Sequence, residues 1–175
     1  MNTQNILFLT RGVPGCGKST FVNKYLKNIS LIVESDEIRL QLNGFDTNNK
    51  ISQGNEQIVW KTIYSKVEKL LLEKHNVSLD ATNVTKWSIT KVKQIAEKTN
   101  TRIIIINFSN ISVETALQQN KNRLPIYKRV PEEVILRMYK EMNKSRNVKA
   151  LEDLEIYTPD EFVKWMKEND LLYSI

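Results

Sequence analysis

The stretch Gly12-Val13-Pro14-Gly15-Cys16-Gly17-Lys18-Ser19-Thr20 decides the fold of this chain. It contains the complete pattern Gly-x-x-x-x-Gly-Lys-Ser, which is typical of loops that bind phosphate groups. An apolar run precedes it at residues 6–9, and apolar side chains follow it at helical spacing: Phe21, Val22, Tyr25 and Leu26. This context predicts a buried strand, a phosphate-binding loop and a helix that packs on the sheet.

The residue types of this loop suit a polyphosphate bound together with magnesium. Glycine permits backbone conformations that a Cβ would prevent, so successive N–H groups can surround phosphate oxygens beside a helix N-terminus. Lys18 adds a mobile charge for the terminal phosphates, and the Ser19 hydroxyl is suited to bind Mg²⁺. The alternative is a glycine-rich turn that binds nothing. The pattern predicts a bound polyphosphate with Mg²⁺, and the residues expected to contact it are Gly12, Pro14, Gly15, Cys16, Gly17, Lys18, Ser19 and Thr20.

Length and composition indicate a globular protein with one domain over residues 1–175. Hydrophobic residues make up 41% of the chain and charged residues 26%, which argues against a disordered chain. No apolar run reaches the length of a membrane span, and the N-terminus lacks the regions of a signal peptide, so we expect a cytoplasmic protein without a membrane partner. Cys16 is the only cysteine, which excludes an intrachain disulfide and suits a reducing compartment.

The charge balance is compatible with a polyanionic partner. The chain has 26 Lys and Arg against 20 Asp and Glu, a formal net charge of +6. Such a charge speeds association with phosphates but is weak evidence for a nucleic-acid surface. Homo-oligomerisation is left open by the sequence.

Strands and helices alternate along the whole chain, which predicts a parallel sheet covered by helices on both faces. Apolar runs predict strands at 6–9, 29–33, 77–80, 102–108 and 154–157. The run at 102–108 is apolar enough to lie at the centre of the sheet or next to it. Helices are predicted at about 18–27, from 36, at 55–74, from 85 to before 99, at 112–122, at 131–146 and from 158.

Several residues predict where these helices begin. Ser35, Thr85, Ser112 and Thr158 are suited to open or cap helices, and Pro131 and Pro159 suit the first helical position. Glu161 would complete a capping box with Thr158. The helix at 55–74 is predicted to bury the stripe Ile58, Ile63, Val67, Leu70 and Leu71.

Asp36 and Arg39 lie one helical turn apart, directly after the second predicted strand. Ligands of open α/β sheets bind at that edge of the sheet. An aspartate in a first helical turn can accept a hydrogen bond from an incoming hydroxyl, and Arg39 could hold a phosphate of the acceptor with two hydrogen bonds. A helix cap with an ion pair three residues apart is the alternative.

Two further polar segments follow predicted strands or helices. Asp80-Ala81-Thr82-Asn83 stands where proteins with such loops often carry a second acidic residue near the metal, although it could equally be a turn and a cap. The basic segment 119–131 contains Arg123 and Arg129 and could be a lid whose arginines neutralise transferring charge. A solvated basic loop is the alternative for this segment.

Taken in order, these landmarks resemble the kinase domain of phage-type polynucleotide 5′-hydroxyl kinases. The resemblance covers about residues 5–146 and includes Val130-Pro131-Glu132-Glu133-Val134-Ile135 and Met138-Tyr139 after Arg123. The loop pattern is shared by many kinases, but its combination with Asp36-x-x-Arg39 is more specific. The resemblance implies a P-loop kinase-like three-layer α/β/α fold with a four- or five-stranded parallel sheet.

The resemblance also implies a role for each matching residue. The aspartate that matches Asp36 activates the 5′-hydroxyl, and the arginine that matches Arg39 contacts the phosphate on the 3′ side of the acceptor nucleotide. The arginine that matches Arg123 contacts ATP phosphates, and the carboxylate that matches Asp80 is needed for activity. Substrate contacts are accordingly expected from Arg39, Asp80, Thr82 and Asn83, with Asp36, Lys18 and Arg123 as the catalytic residues.

The sequence departs from the family pattern in the basic segment. Gln119 stands where many relatives have a second arginine, and the spacing leaves either Arg123 or Arg129 to reach the phosphates. The chain has no Asp-x-Asp pair, so the phosphatase half often fused to such kinases is expected to be absent.

The main hypothesis is ATP- and Mg²⁺-dependent phosphorylation of the 5′-hydroxyl of DNA or RNA. A kinase for a small hydroxylated molecule, such as a nucleoside or an antibiotic, is the first alternative. The second is a nucleotide-gated ATPase or binding module, which would leave the Asp36-x-x-Arg39 pair unexplained.

Overall fold

The central element is a five-stranded sheet in which all strands run parallel. The computed structural model describes residues 4–52, 54–145 and 149–171. The strands are β1 (Ile6–Arg11), β2 (Leu31–Glu34), β3 (Val77–Asp80), β4 (Arg102–Asn107) and β5 (Glu155–Tyr157), in the spatial order β2-β3-β1-β4-β5. The parallel α/β prediction is confirmed with five strands, and β4 lies beside the central strand as predicted.

Helices cover both faces of this sheet. They are α1 (Lys18–Phe21), which continues as a wider π turn at Val22–Leu26, α2 (Ser35–Asn43), α3 (Glu56–Leu72), α4 (Lys86–Thr99), α5 (Val113–Lys121), α6 (Glu132–Lys144) and α7 (Pro159–Glu168). Leu7 and Leu9 of β1 pack with α3 and α4, whereas Phe8 packs with α1, α6 and α7. Alternate residues of one strand thus enter two separate cores, which gives three layers.

Most of the predicted helix caps are present. Thr85, Ser112 and Thr158 each accept a backbone N–H of the helix that follows, and Glu161 completes the capping box. Ser35 is not a cap, because β2 continues directly into α2 and Glu34 holds the extended cap position. Pro131 was predicted at the first helical position of α6, but it lies at the cap, one residue before the helix begins at Glu132.

Two other predictions differ from the structure by a small register change. The amides of Ile29 and Ser30 donate to the carbonyl of Leu26, so β2 begins only at Leu31. Ile58 of α3 is 53% exposed, because the buried stripe repeats every four residues: Val59, Ile63, Val67 and Leu71.

Among the described residues, no helix has the length and hydrophobicity needed to cross a membrane.

Gly15 and Gly17 both have left-handed backbones in the predicted phosphate-binding loop, with φ of +86° and +95°. They differ in the space around them. A Cβ on Gly15 would lie 2.2 Å from the carbonyl oxygen of Ala116 in α5, whereas a Cβ on Gly17 would meet nothing within 4 Å. Backbone packing of the loop on α5 therefore depends on Gly15.

We expect Gly15→Ala to be more destabilising than Gly17→Ala. Each variant has the cost of a left-handed alanine, about 1–2 kcal/mol. Gly15→Ala adds an overpacking cost of about 1–3 kcal/mol, because the atom it meets belongs to backbone. Urea unfolding of both variants measures the difference in free energy. Equal losses would show that the contact with α5 does not constrain the loop.

Candidate active site

The parallel strands bring the predicted site residues to one edge of the sheet, around a cavity of about 700 Å³. The loop after β1, the first turn of α2 and the end of β3 all border this cavity. Residues of the predicted set that line it are Pro14, Gly15, Gly17, Lys18, Ser19, Thr20, Asp36, Arg39, Asp80, Thr82 and Arg123. The structure therefore gathers residues that are far apart in sequence.

Lys18 is the first residue of α1, and its side chain folds back over the loop. Its Nζ donates to the carbonyl of Val13 at 2.8 Å and lies 3.7 Å from the Sγ of Cys16. Only 8% of Lys18 is exposed. The ammonium group is thereby held against the loop, and Lys18 begins α1, so its charge adds to the positive end of a helix.

Gly12 and Cys16 are buried residues of the loop that do not line the cavity. A Cβ on Gly12 would be 2.9 Å from the Cβ of Phe108, so Gly12 allows the loop to pack closely on the end of β4. Burial raises the pKa of the Cys16 thiol, although the nearby Lys18 opposes this shift. Cys16 thus serves as a small buried packing residue of the loop.

Asp36 lies between two guanidinium groups. Its Oδ1 accepts from Nη1 of Arg39 at 2.9 Å, and its Oδ2 accepts from Nη2 of Arg123 at 3.3 Å. The three side chains are 21–27% exposed, so the cluster faces the cavity without being sealed from water. The alternative interpretation predicted a helix cap with an ion pair three residues apart. Asp36 forms that ion pair with Arg39, but it is not the cap of α2, because Glu34 occupies the cap position.

Arg39 is oriented by a second carboxylate, that of Glu56 in the first turn of α3. Nε and Nη2 of Arg39 donate to the two oxygens of Glu56 at 2.8 and 3.0 Å. Burial by itself would lower the pKa of Arg39, but the hydrogen bonds and charges of Glu56 and the charge of Asp36 raise it overall. A guanidinium group has five N–H donors, so these contacts leave two of them for a ligand.

The segment after β3 places its polar residues in different surroundings. Asp80 is 5% exposed and lines the cavity, as does Thr82, whose carbonyl accepts the amide of Gly12 at 2.9 Å. Asn83 is 1% exposed and does not line the cavity, and its amide donates to the carbonyl of Thr10 at 2.8 Å. Asn83 has a left-handed backbone and joins this turn to β1, so its position does not suit the predicted substrate contact.

The basic segment 119–131 brings Arg123, rather than Arg129, to the cavity. Besides Asp36, the Arg123 guanidinium contacts the carbonyl of Lys128 at 2.6 Å. Arg129 is exposed and donates to the carbonyl of Arg123 at 3.0 Å. Lys128 forms an ion pair with Glu34, which joins the segment to the end of β2.

Other residues of the cavity were not identified from the sequence. Glu56 and Trp60 come from α3, and Arg137 and Met138 come from α6. Arg137 forms no ion pair with a described residue. Glu56 carried no distinguishing signal, because an acidic residue in a first helical turn is ordinary; only the folded chain shows its contact with Arg39.

Comparison with known proteins identifies the family and supports the fold. The family model described as an AAA domain matches residues 7–145. No curated protein matches the chain significantly. A structure of the Pnkp1/Rnl/Hen1 RNA repair complex superposes with a TM-score of 0.70 at 23% identity, over 83% of this chain and 46% of the matched chain. The chain thus spans less than half the length of that matched chain.

Two single-protein structures have the same fold over nearly all of the chain. Kti12 from Chaetomium thermophilum, in complex with ADP-AlF3, has a TM-score of 0.63 at 17% identity and covers 92% of this chain and 97% of its own. A gluconokinase from Sinorhizobium meliloti 1021 has a TM-score of 0.56 at 12% identity, over 96% and 97%. At such identities the likeness concerns the fold alone. The match over residues 7–145 shows that the chain belongs to the AAA domain family, in its P-loop kinase-type form.

Proposed function

We propose that this protein transfers the γ-phosphoryl group of ATP to the 5′-hydroxyl of a polynucleotide, DNA or RNA. The observation that carries the proposal is the placement of Asp36 and Arg39 on the same cavity as Lys18 and its loop. One carboxylate can receive a proton there, while two N–H donors of Arg39 are free for an acceptor phosphate. The structural likeness to an RNA repair complex supports a nucleic-acid acceptor.

The reaction divides between two sides of the cavity. Lys18 and the loop amides hold the β- and γ-phosphates, and Asp36 accepts the proton of the acceptor hydroxyl. The acceptor oxygen forms a bond to the γ-phosphorus as the bond to the bridging oxygen of ADP breaks, and ADP leaves with that electron pair. Arg123 stabilises the negative charge that spreads over the transferring group. Positioning by these residues supplies most of the rate, because the transition state is loose.

Ser19 and Asp80 fit a magnesium ion by the chemistry of their side chains. Both line the cavity and offer a hydroxyl and a carboxylate, the oxygen ligands that Mg²⁺ prefers. Among the described residues, no group of three or more acidic, His or Cys side chains could hold a metal ion. An Mg²⁺ at Ser19 and Asp80 would take its other ligands from phosphate oxygens and water. When bound, Mg²⁺ neutralises charge on the phosphates.

The acceptor class can be tested by labelling. With γ-labelled ATP, we expect label on 5′-hydroxyl DNA or RNA and on 3′-mononucleotides, with weaker use of nucleosides. Label found on nucleosides or sugars alone would favour the kinase for small molecules. ATP hydrolysis that oligonucleotides neither compete with nor stimulate would favour the ATPase or binding module.

Asp36→Asn should retain ATP binding within about twofold and lose turnover by about 10²–10⁴, the usual contribution of a positioned acid or base. The reason is that an amide cannot accept the hydroxyl proton, although it keeps the shape of the side chain. Asp160→Asn is a matched control, because Asp160 is exposed on α7 away from the cavity. Titration calorimetry with ATP and steady-state kinetics measure the two effects. Near-normal turnover of Asp36→Asn would remove Asp36 from the mechanism.

Arg39→Ala should weaken the use of 3′-phosphorylated acceptors more than the use of nucleosides. A charge-assisted contact to phosphate contributes about 1.5–3 kcal/mol, so we expect about a 10- to 100-fold rise in KM for a 3′-mononucleotide. Arg129→Ala is the control, since that arginine lies outside the cavity lining. An equal loss with both acceptor classes would mean that Arg39 acts through Asp36 and does not bind the acceptor phosphate.

A further inference from the structure

An aromatic groove lies between α3 and α4, beside the cavity described above. Its volume is about 640 Å³, and its walls carry Trp60, Tyr64 and Trp87. Glu56 and Trp60 line both the groove and the cavity, so the two spaces are contiguous. We call the space lined by Trp60, Lys61, Tyr64, Trp87 and Lys91 the α3–α4 groove.

The three aromatic rings form one surface. Trp60 and Tyr64 are stacked with centroids 5.5 Å apart, and Trp87 meets both rings edge-on at 6.4 and 5.8 Å. Trp87 is 52% exposed and belongs to neither buried core, whereas Trp60 and Tyr64 pack against one. Burial raises the pKa of the Tyr64 phenol, so this ring stays neutral at ordinary pH.

The charges around these rings are positive. Lys61 and Lys91 line the groove and form no ion pair with a described residue. The acidic residues of the groove are already neutralised, because Glu56 binds Arg39 and Glu68 pairs with Lys98. An exposed indole beside two unpaired ammonium groups is the combination that binds single-stranded nucleic acid by stacking and by phosphate contacts.

We infer that the α3–α4 groove binds the single-stranded part of the acceptor, on the 3′ side of the nucleotide that is phosphorylated. In this arrangement bases stack on Trp87 and Trp60, and Lys61 and Lys91 contact backbone phosphates. The inference rests on the proposed function: the 5′-hydroxyl lies at Asp36, so the strand can leave only in the 3′ direction. Arg39, which would hold the first phosphate, is bound to Glu56 at the junction of cavity and groove.

The length of the groove sets the size of the site. Its residues on α3 run from Glu56 to Glu68, twelve residue steps, or about 18 Å at about 1.5 Å per residue. This length accommodates roughly five stacked nucleotides at about 3.4 Å each. KM should therefore fall as the acceptor is lengthened to about five nucleotides and then remain constant.

The test uses acceptors with a 5′-hydroxyl and a 3′-phosphate, from one to about eight thymidine nucleotides long. For the longest acceptor, Trp87→Ala should raise KM by about fivefold or more, as expected for the loss of one stacked base, and Trp87→Phe should restore most of it. For the mononucleotide the change in KM should stay within about twofold.

The lysines are tested through the salt dependence of binding. In the double variant Lys61→Gln and Lys91→Gln, the slope of log K against log salt concentration should become shallower by about 0.7 for each phosphate contact that is lost. Lys69→Gln is the control, because Lys69 is on α3 but outside the groove.

A binding measurement separates this inference from the proposed function. Fluorescence anisotropy of a labelled octathymidylate, measured without ATP, should show weaker binding to Trp87→Ala. We expect this variant to fold like the parent, because the indole is half-exposed; circular dichroism of both proteins checks this. Binding that depends on Trp87, without phosphorylation of any oligonucleotide, would contradict the proposed function and retain the groove. Phosphorylation whose KM depends on neither length nor Trp87 would overturn the groove as a strand site, and would point to a protein ligand for the exposed aromatic surface.

Discussion

The structure depends on the parallel pairing of β1 with β3 on one side and β4 on the other. A strand that is buried on both faces must satisfy its backbone hydrogen bonds through its neighbours, and parallel neighbours end at the same edge of the sheet. The phosphate-binding loop, the first turn of α2 and Asp80 therefore meet although they are separated in sequence. The apolar side chains of β1 enter both cores, so they help to fix the position of the polar site as well as stabilising the fold.

A buried arginine ties this sheet edge to α6, the helix that follows the basic segment 119–131. Arg11 ends β1 and is 1% exposed; its Nη2 donates to the Oγ of Ser145 at 2.7 Å and to the carbonyl of Met142 at 3.2 Å. A positive charge is favourable at the C-terminal end of a helix. The Ser145 hydroxyl in turn donates to the carbonyl of Val84, just after the turn that contains Asn83. These contacts hold β1, the turn after β3 and α6 together behind the cavity.

Helix α3 borders both the cavity and the α3–α4 groove. Glu56 orients Arg39 toward the cavity, and one turn later Trp60 belongs to both the cavity and the groove. The same helix buries Val59 and Ile63 in the core, which fixes its rotation and so the direction of its polar and aromatic side chains. A substrate that reached both the cavity and the groove would need to be longer than one nucleotide. Use of such a substrate would distinguish a polynucleotide kinase from a small-molecule kinase.

The sequence by itself determined the loop, the alternation of strands and helices, and the helix starts at Thr85, Ser112 and Thr158, because these features depend on neighbouring residues and on backbone geometry. The predictions that Ser35 caps α2 and that Ile58 is buried were wrong, because the path of the chain into each helix decided which residue is the cap and which face is buried. Only the tertiary structure decided that Arg123 faces the cavity while Arg129 does not, that Asn83 turns into the protein, and that Glu56 orients Arg39. The α3–α4 groove is likewise visible only in the tertiary structure, since two helices separated in sequence form it. Contacts between distant segments depend on how the helices pack against the sheet, and a local pattern carries no information about that packing.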